Sequence, residues 1–295
     1  MVKMTIEDNP TASLRTVKDL VILTKSTLAN VLKKLKFHPY KMVPTNILST
    51  TDKERRVLFC TWALNCYSGD TNFFGKILCS DECLFRTSGM VNRQNCRYWA
   101  REKPNAVVTE VKDQSAASVM VWAGILNKTI VGPFFFDSKV TQQTYLAMLQ
   151  NQMMVFLKTA LPRRTMKSVI FQQDGAGPHY AIKVRKWLDE VFPGRWIGKH
   201  GDNNNARYFW PARSPDISTC DFFLWGFLKS KVYDPSLPRM KTKDELITRI
   251  RWAFDQVTTT MLEGVVDTWP IRLQCCLAHD GDHFEHKIDS FKRLQ

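Results

Sequence analysis

Short apolar runs separated by polar, turn-forming segments dominate the chain from residue 76 onward. Four of these runs predict strands, at 76–80, 118–126, 130–136 and 168–171. Apolar residues recurring every three or four positions predict helices at 141–157, 182–192, 221–229 and 246–257. Three strands, a helix, a strand and a helix, in that order, indicate an α/β fold with a mixed sheet flanked by helices.

Acidic residues stand where several of these elements begin or end. Asp81 and Asp174 come at the ends of the first and fourth predicted strands, and Asp221 begins the helix at 221–229. The spacing also predicts that Asp221 lies on the apolar stripe of its own helix. Because an isolated ionised carboxylate is costly to bury, all three residues need bound metal ions or other polar partners.

The composition indicates a polyanionic partner. The chain has 295 residues, a formal net charge of +14 and a pI near 9.5, and such an excess of Lys and Arg is typical of proteins that bind nucleic acid. No apolar run reaches the ~18 residues that a membrane span needs, and the first residues lack the apolar core of a signal peptide. The eight cysteines include no C-x-x-C pair, which favours reduced thiols in a cytosolic or nuclear protein over a zinc finger.

The first forty-five residues predict a small helix-turn-helix unit. One helix has apolar residues at positions 14, 17, 20 and 21, and a second helix begins after Thr24 or Ser26. The polar face of the second helix offers side chains that can meet phosphates and base edges, namely Lys25, Ser26, Asn30, Lys33 and Lys34. The alternative is that these side chains form an ordinary solvated face. Eight basic against three acidic residues in the first fifty favour DNA binding.

Four segments, taken in order, resemble the mariner/Tc family of DNA transposases. Ser80-Asp81-Glu82 resembles the first catalytic motif of the family, and Asn92 to Asn95 with Tyr98-Trp99 is similar to the run that follows it. The segment Gln173 to His179 resembles the second motif, and Ser214 to Asp221 resembles the third. The resemblance implies an RNase H-like catalytic domain over residues 71–295. A helix-turn-helix domain at 1–45 and a linker with a connecting helix at 46–70 precede it.

Several features depart from the family pattern. Gly177 and Thr219 stand where relatives usually have proline. The 47 positions from Asp174 to Asp221 (221 − 174) exceed the usual gap, and the extra residues fall in the loop at 198–209. Only one helix-turn-helix unit fits before the catalytic domain, whereas full-length relatives have two.

The resemblance also implies the chemistry and the partners. Asp81, Asp174 and Asp221 are expected to hold two Mg²⁺ or Mn²⁺ ions, with Asp81 bridging them. The protein would then cut and rejoin double-stranded DNA at transposon terminal inverted repeats and insert it into target DNA. A homodimer, a nuclear location and no membrane association are expected. The alternatives are a decayed or domesticated DNA-binding protein and an RNase H-type ribonuclease, which suits a helix-turn-helix less well.

Residues next to the three aspartates leave further alternatives. Asp216 is a rival third ligand, although its Ser-Pro-Asp context is typical of a turn in which Asp bonds backbone N–H groups. Glu82 should point to the opposite face of the strand from Asp81. His179 either contacts the scissile phosphate or is a capping or core histidine. Repulsion among the three carboxylates should raise one pKa, so that Asp174→Asn leaves metal-free stability equal or higher.

Overall fold

The computed structural model describes residues 2–8, 21–35, 47–88, 117–137, 139–199, 206–234, 236–288 and 291. The chain divides into two compact units, Met1–Asn46 and Ile47–Gln295. The motif residues at 92–99 lie outside the described residues, as does most of the first predicted helix. None of the helices in the described parts of the chain is both long and apolar enough to cross a membrane.

The amino-terminal unit contains helices α1 (Val2–Asp8) and α2 (Lys25–Lys34). Thr24 caps α2, because its hydroxyl oxygen accepts a hydrogen bond from the backbone N–H of Thr27 at 3.2 Å. This confirms the predicted helix and one of its two predicted caps. Leu28 and Leu32 of this helix form a buried apolar cluster with Val21, which precedes it. On the polar face, four of the five predicted DNA-binding side chains are exposed, namely Ser26, Asn30, Lys33 and Lys34, whereas the Lys25 side chain lies outside the described part.

The carboxyl-terminal unit is built on a six-stranded sheet with the order β3-β2-β1-β4-β5-β6. The first three strands form an antiparallel meander, and β4, β5 and β6 extend the sheet in parallel from β1. This confirms the predicted mixed sheet. The strands are β1 Ile77–Arg86, β2 Ser118–Leu126, β3 Thr129–Phe136, β4 Ile170–Gln172, β5 Trp196–Gly198 and β6 Tyr208–Phe209.

Helices cover both faces of this sheet. They are α3 Thr50–Gly69, α4 Gln142–Met148, α5 Met154–Ala160, α6 Arg163–Ser168, α7 Ile182–Val191, α8 Trp225–Val232, α9 Lys243–Asp255 and α10 Thr259–Leu277. Wide π turns at Leu149–Met153 and Cys220–Leu224 precede α5 and α8, and short 3₁₀ turns lie at Phe74–Lys76 and Glu285–Lys287. The predicted helix at 141–157 is therefore α4 and α5 joined through a π turn.

Alternation along β1 decides which side chains meet which helices. Cys83 and Phe85 pack into the cluster that includes residues of α8, α9 and α10, whereas Leu78 packs into the cluster of α4, α5 and α7. A third cluster lies between α3, α10 and the sheet. Asp81 and Glu82 thus project toward opposite faces, which confirms the prediction made from strand alternation.

The sequence pattern predicts that the first strand ends at Asp81, and this prediction is wrong. The strand runs on to Arg86, so that Asp81 lies in the middle of it. The reason is the pairing: β4 pairs only with residues 77–79 of β1, whereas the antiparallel register with β2 continues from Leu78 to Arg86. Asp81 therefore lies just beyond the point where the parallel part of the sheet stops.

Candidate active site

Asp81 is held on the α8 side of the sheet. Its Oδ2 accepts a hydrogen bond from the indole Nε1 of Trp225 at 2.8 Å. Burial raises the pKa of Asp81 well above its usual value, and the negative charges of Asp221 and Glu82 add to this rise. The carboxylate is thus in an environment that disfavours its own charge.

Asp221 lies in the π turn Cys220–Leu224. Its side chain is exposed, whereas Leu224, Trp225 and Leu228 are buried. The predicted position on the apolar stripe is therefore wrong, because a π turn has an extra residue and rotates Asp221 away from that stripe. Although the side chain reaches solvent, desolvation by the surrounding protein raises the pKa of Asp221 to about 6, and the charge of Asp174 contributes. Asp221 is thereby electrostatically coupled to both other predicted aspartates.

Asp174 follows β4 and is anchored through one oxygen. Its Oδ1 accepts hydrogen bonds from the backbone N–H of Ala176 at 3.0 Å and from His179 Nδ1 at 2.5 Å. Burial alone would raise the pKa of Asp174, but the bonds from His179 outweigh it and keep this pKa below the usual value. We therefore expect relief of repulsion at Asp81 and Asp221 rather than at Asp174, so that Asp174→Asn should lose metal-free stability, in contrast to the expectation from the sequence.

The turn after Asp174 does not depend on the glycine that replaces the usual proline. A Cβ built at Gly177 meets no atom within 4 Å, and Gly177 is not among the residues with positive φ. The turn is fixed instead by the bonds of Asp174 to Ala176 and His179 and by the N–H groups of His179 and Tyr180, which donate to the carbonyl of Ala176 at 3.0 Å each. Gly177 itself adds neither a close contact nor a positive φ to this turn.

His179 lies between two carboxylates, that of Glu82 on β1 and that of Asp174 in the turn after β4. The side chain is only 3% exposed, and its Nε2 lies 3.2 Å from Oε1 of Glu82 while Nδ1 bonds Asp174. Desolvation works against the charged imidazole, but Asp174 and Glu82 overcome it and raise the pKa of His179 to about 10. His179 is therefore buried between Asp174 and Glu82, whose negative charges favour the protonated imidazole.

A second layer of side chains holds His179 in this position. The Tyr145 ring stacks on the imidazole with 4.0 Å between ring centroids, and its hydroxyl donates to Gln173 Oε1 at 2.9 Å. Gln173 Nε2 in turn donates to the carbonyl of His179 at 3.0 Å. The sequence patterns assign no role in the site to Tyr145, Gln173, Glu82 or Trp225. The run Asp81-Glu82 was the available signal, but alternation suggested that Glu82 was uninvolved.

Asp216, the rival to Asp221, is fully engaged elsewhere. Its two carboxylate oxygens each accept a hydrogen bond of 2.6 Å from the guanidinium of Arg56, and both side chains are buried. The turn at 215–217 is present as predicted, but the carboxylate bonds an arginine of α3 rather than backbone N–H groups. Asp216 is thus a buried structural partner and not a free ligand.

The donor set fits a divalent cation only in part. Carboxylate oxygens are the ligands that Mg²⁺ and Mn²⁺ prefer. Burial first, and then the charges of neighbouring carboxylates, raise the pKa values of Asp81 and Asp221, and a bound cation would offset both effects. Asp174 offers Oδ2, since both its hydrogen bonds are made by Oδ1. Within the described ranges, however, no three His, Cys, Asp or Glu side chains stand close enough to hold a metal ion. A bound cation would therefore have to draw these carboxylates together.

The Glu82–His179 contact should make the charge of His179 visible in a pH titration. We expect Glu82→Gln to lower the pKa of His179 from about 10 by about one pH unit or more, because an opposite charge is removed. A histidine with a raised pKa stabilises the fold below its unfolded value of about 6.5 and loses this contribution as the pH rises toward the folded value. The stability advantage of the wild type should therefore shrink between about pH 6.5 and about pH 10.

NMR of the histidine ring protons and thermal melts at several pH values test this. Glu263→Gln, which removes a half-buried glutamate that pairs with the exposed Lys128, is the control. An unchanged titration of His179 in Glu82→Gln would show that Glu82 does not stabilise the imidazolium.

Comparison with known proteins places this geometry in context. No protein-family model matches the chain. It is 29% identical over 212 residues to the Tc3 transposase of a transposable element of Caenorhabditis elegans, which covers 71% of this chain and 56% of that protein. The chain thus spans just over half the length of this curated relative.

Solved structures agree in fold. The Mos1 transposase in a paired-end complex with the left transposon end matches with a TM-score of 0.74 and 18% identity, over 96% of this chain and 79% of that one. The Mos1 transposase catalytic domain, solved with raltegravir and Mn, matches with a TM-score of 0.61 and 19% identity, over 81% of this chain and all of that domain. The predicted α/β fold with a mixed sheet is shared with the Mos1 transposase, and the predicted resemblance is confirmed to the extent that the chain is similar to the Tc3 transposase.

Proposed function

We propose that this protein is a metal-dependent DNA transposase that cuts and rejoins phosphodiester bonds at transposon ends. The observation that carries the proposal is the placement of three aspartates on neighbouring segments: Asp81 on β1, Asp174 directly after the adjacent strand β4, and Asp221 in the π turn whose Cys220 contacts β1. The similarity to the Tc3 transposase supports it. We assign the catalytic domain to residues 71–295, the connecting segment to 46–70 and the DNA-binding domain to 1–45.

In this proposal Asp81, Asp174 and Asp221 hold two Mg²⁺ or Mn²⁺ ions. When bound, such ions activate the attacking oxygen and stabilise the leaving oxygen of a phosphodiester. The other residues of the site orient these ligands: Trp225 fixes one oxygen of Asp81, and His179 fixes Oδ1 of Asp174 and leaves Oδ2 for a cation. Because His179 is committed to Asp174 and Glu82, we propose a positioning role for it rather than contact with the scissile phosphate.

The proposed partner is double-stranded DNA, as terminal inverted repeat and as target, in the nucleus. The Mos1 transposase has been solved on a transposon end, which supports this choice and a homodimer that joins two ends. Helix α2 would present its polar face to DNA, because its exposed side chains combine two lysines with the amide of Asn30 and the hydroxyl of Ser26, next to Lys25.

Removing the two lysines of α2 should reduce the salt dependence of DNA binding. If Lys33 and Lys34 each neutralise a phosphate, Lys33→Gln with Lys34→Gln should lower the slope of log K against log salt by about 0.9 for each phosphate that is no longer neutralised. Fluorescence anisotropy with a duplex at several salt concentrations measures this slope. An exposed pair outside the unit, Lys183→Gln with Lys186→Gln on α7, is the control. An unchanged slope in the α2 variant would remove this helix from the proposed interface.

The reaction itself can be tested on supercoiled plasmid carrying candidate terminal repeats. We expect nicked and linear products with Mn²⁺ or Mg²⁺ and none with EDTA. Binding of DNA without any cutting would instead identify a decayed or domesticated DNA-binding protein. Preferential cutting of an RNA–DNA hybrid would identify a ribonuclease.

A further inference from the structure

One buried guanidinium contacts the chain both before and after Asp221. Arg272 of α10 is 7% exposed, and its Nε donates to the carbonyl oxygen of Asp216 at 2.6 Å. The face of the same guanidinium lies over the ring of Phe222, with Cζ 4.1 Å from the ring centroid. Arg272 therefore contacts the chain five residues before Asp221 and directly after it.

The start of this segment is also fixed from α3. Arg56 donates to both carboxylate oxygens of Asp216 at 2.6 Å and, through Nε, to the carbonyl of Gly281 at 2.7 Å. Asp216 is thus held by its carboxylate from one helix and by its carbonyl from another. A paired guanidinium–carboxylate fork fixes orientation as well as distance.

Ser218 and the backbone on either side hold Asp221 in place. Its side chain is exposed, and its backbone N–H donates a long hydrogen bond of 3.4 Å to Ser218 Oγ. The neighbouring Cys220 is buried, with Sγ 3.3 Å from the carbonyl oxygen of Cys79 on β1. The place of the carboxylate is therefore set by where the backbone from 216 to 222 is anchored.

We infer that Arg272 is a positioning residue for Asp221: by bonding the carbonyl of Asp216 and stacking on Phe222, it sets where the third carboxylate meets a divalent cation. This inference rests on the proposed function. Lysine cannot replace arginine in this role, because a planar guanidinium donates in its plane while its face stacks on a ring, whereas an ammonium is a point charge. Arg272 also donates through Nη2 to Glu285 Oε1 at 2.6 Å, and this bond helps to orient the guanidinium.

Arg272→Lys is the test. It keeps the positive charge but removes the planar guanidinium that bonds the carbonyl of Asp216 and stacks on Phe222. Binding of Mn²⁺ is measured directly from the free Mn²⁺ signal in electron paramagnetic resonance, in parallel with plasmid cutting over a range of Mn²⁺ concentrations. We expect Mn²⁺ to bind about 10- to 100-fold more weakly, the usual effect of losing a residue that orients a metal ligand. Cutting should shift to higher Mn²⁺, with the KM for DNA unchanged.

Arg251→Lys is the matched control. Arg251 also lies over a phenylalanine, with Cζ 4.8 Å from the ring centroid of Phe135, but it belongs to α9 and contacts neither Asp216 nor Phe222. Its Mn²⁺ affinity should equal that of the wild type. Phe222→Leu provides a milder second variant that keeps every charge and removes only the ring on which Arg272 stacks, with an expected intermediate shift in Mn²⁺ affinity should Arg272→Lys fail to fold.

The outcomes separate the inference from the proposed function. If the wild type neither binds Mn²⁺ nor cuts DNA, the proposed function fails. If the wild type does both and folded Arg272→Lys binds Mn²⁺ with equal affinity, the inference fails while the proposed function stands. A loss of cutting that follows only the folded fraction, with unchanged Mn²⁺ affinity, would show that Arg272 stabilises the fold without positioning Asp221.

Discussion

Replacing Arg56 with methionine should lower the free energy of unfolding by about 3–5 kcal/mol, because it removes both hydrogen bonds of the buried Asp216 carboxylate and leaves it only the weaker contact with His283 Nδ1 at 3.7 Å. Arg56 is completely buried and Asp216 is 2% exposed, so water cannot replace the lost hydrogen bonds. The carbonyl of Gly281, which accepts from Arg56 Nε, loses its partner as well. Chemical denaturation followed by circular dichroism measures the change.

A double variant shows where this loss comes from. Arg56→Met with Asp216→Leu removes both charges, and replacing a buried ion pair by apolar side chains is often neutral or stabilising. Most of the lost stability should therefore return. Lys128→Met breaks an exposed pair with Glu263 and should leave the free energy of unfolding nearly unchanged, because water screens that pair. Equal stability of the single and double variants would mean that the unpaired carboxylate is not the cause.

Replacing Asp81, Asp174 or Asp221 with asparagine should reduce metal-dependent DNA cutting by about 10³-fold or more. A bound metal ion contributes several kcal/mol to stabilising the transition state, and about 4 kcal/mol corresponds to that factor. Single-turnover plasmid cutting in Mn²⁺ measures the loss. Asp255→Asn, at the exposed end of α9, should cut like the wild type. Retained cutting in any of the three site variants would remove that residue from the proposed ligands.

The same variants should differ from one another in stability without metal. Asp174→Asn loses a charged bond to His179 and should melt below the wild type. Asp221→Asn should melt above it at about pH 7, because a carboxylate whose folded pKa is raised to about 6 destabilises the fold once it ionises. This advantage should vanish as the pH falls from about 6 to about 4, where Asp221 of the wild type is protonated in both states. If the difference in melting temperature between Asp221→Asn and the wild type did not change between about pH 6 and about pH 4, the raised pKa of Asp221 would be contradicted.

Elements that depend on local sequence are predicted well. The strand at 118–126 agrees with β2 at both ends, and the helix at 182–192 differs from α7 by one residue. The cap at Thr24 follows from a hydroxyl that bonds the backbone three residues later. Such features need only a few neighbouring residues, so the chain itself contains the information.

Features that depend on distant partners are predicted poorly. The length of β1 is set by its pairing with β2, and the outward turn of Asp221 is set by a π turn before α8. A single extra residue in a helical turn moves a side chain off its stripe, and periodicity analysis assumes that no such residue is present. At Gly177 the sequence suggests a loosened turn, because relatives usually have proline there. The structure instead shows that Asp174 is held by hydrogen bonds from Ala176 and His179.

By itself the sequence determined the fold class, the family resemblance and three aspartates in motif order, because hydrophobic period and motif spacing lie along the chain. Only the tertiary structure decided how these aspartates are held. It placed His179 between Asp174 and Glu82, and it joined Arg56 to Asp216, 160 positions away. The physical reason is that a buried charge takes its partner from whatever the fold brings within hydrogen-bond distance, and no local pattern specifies that partner.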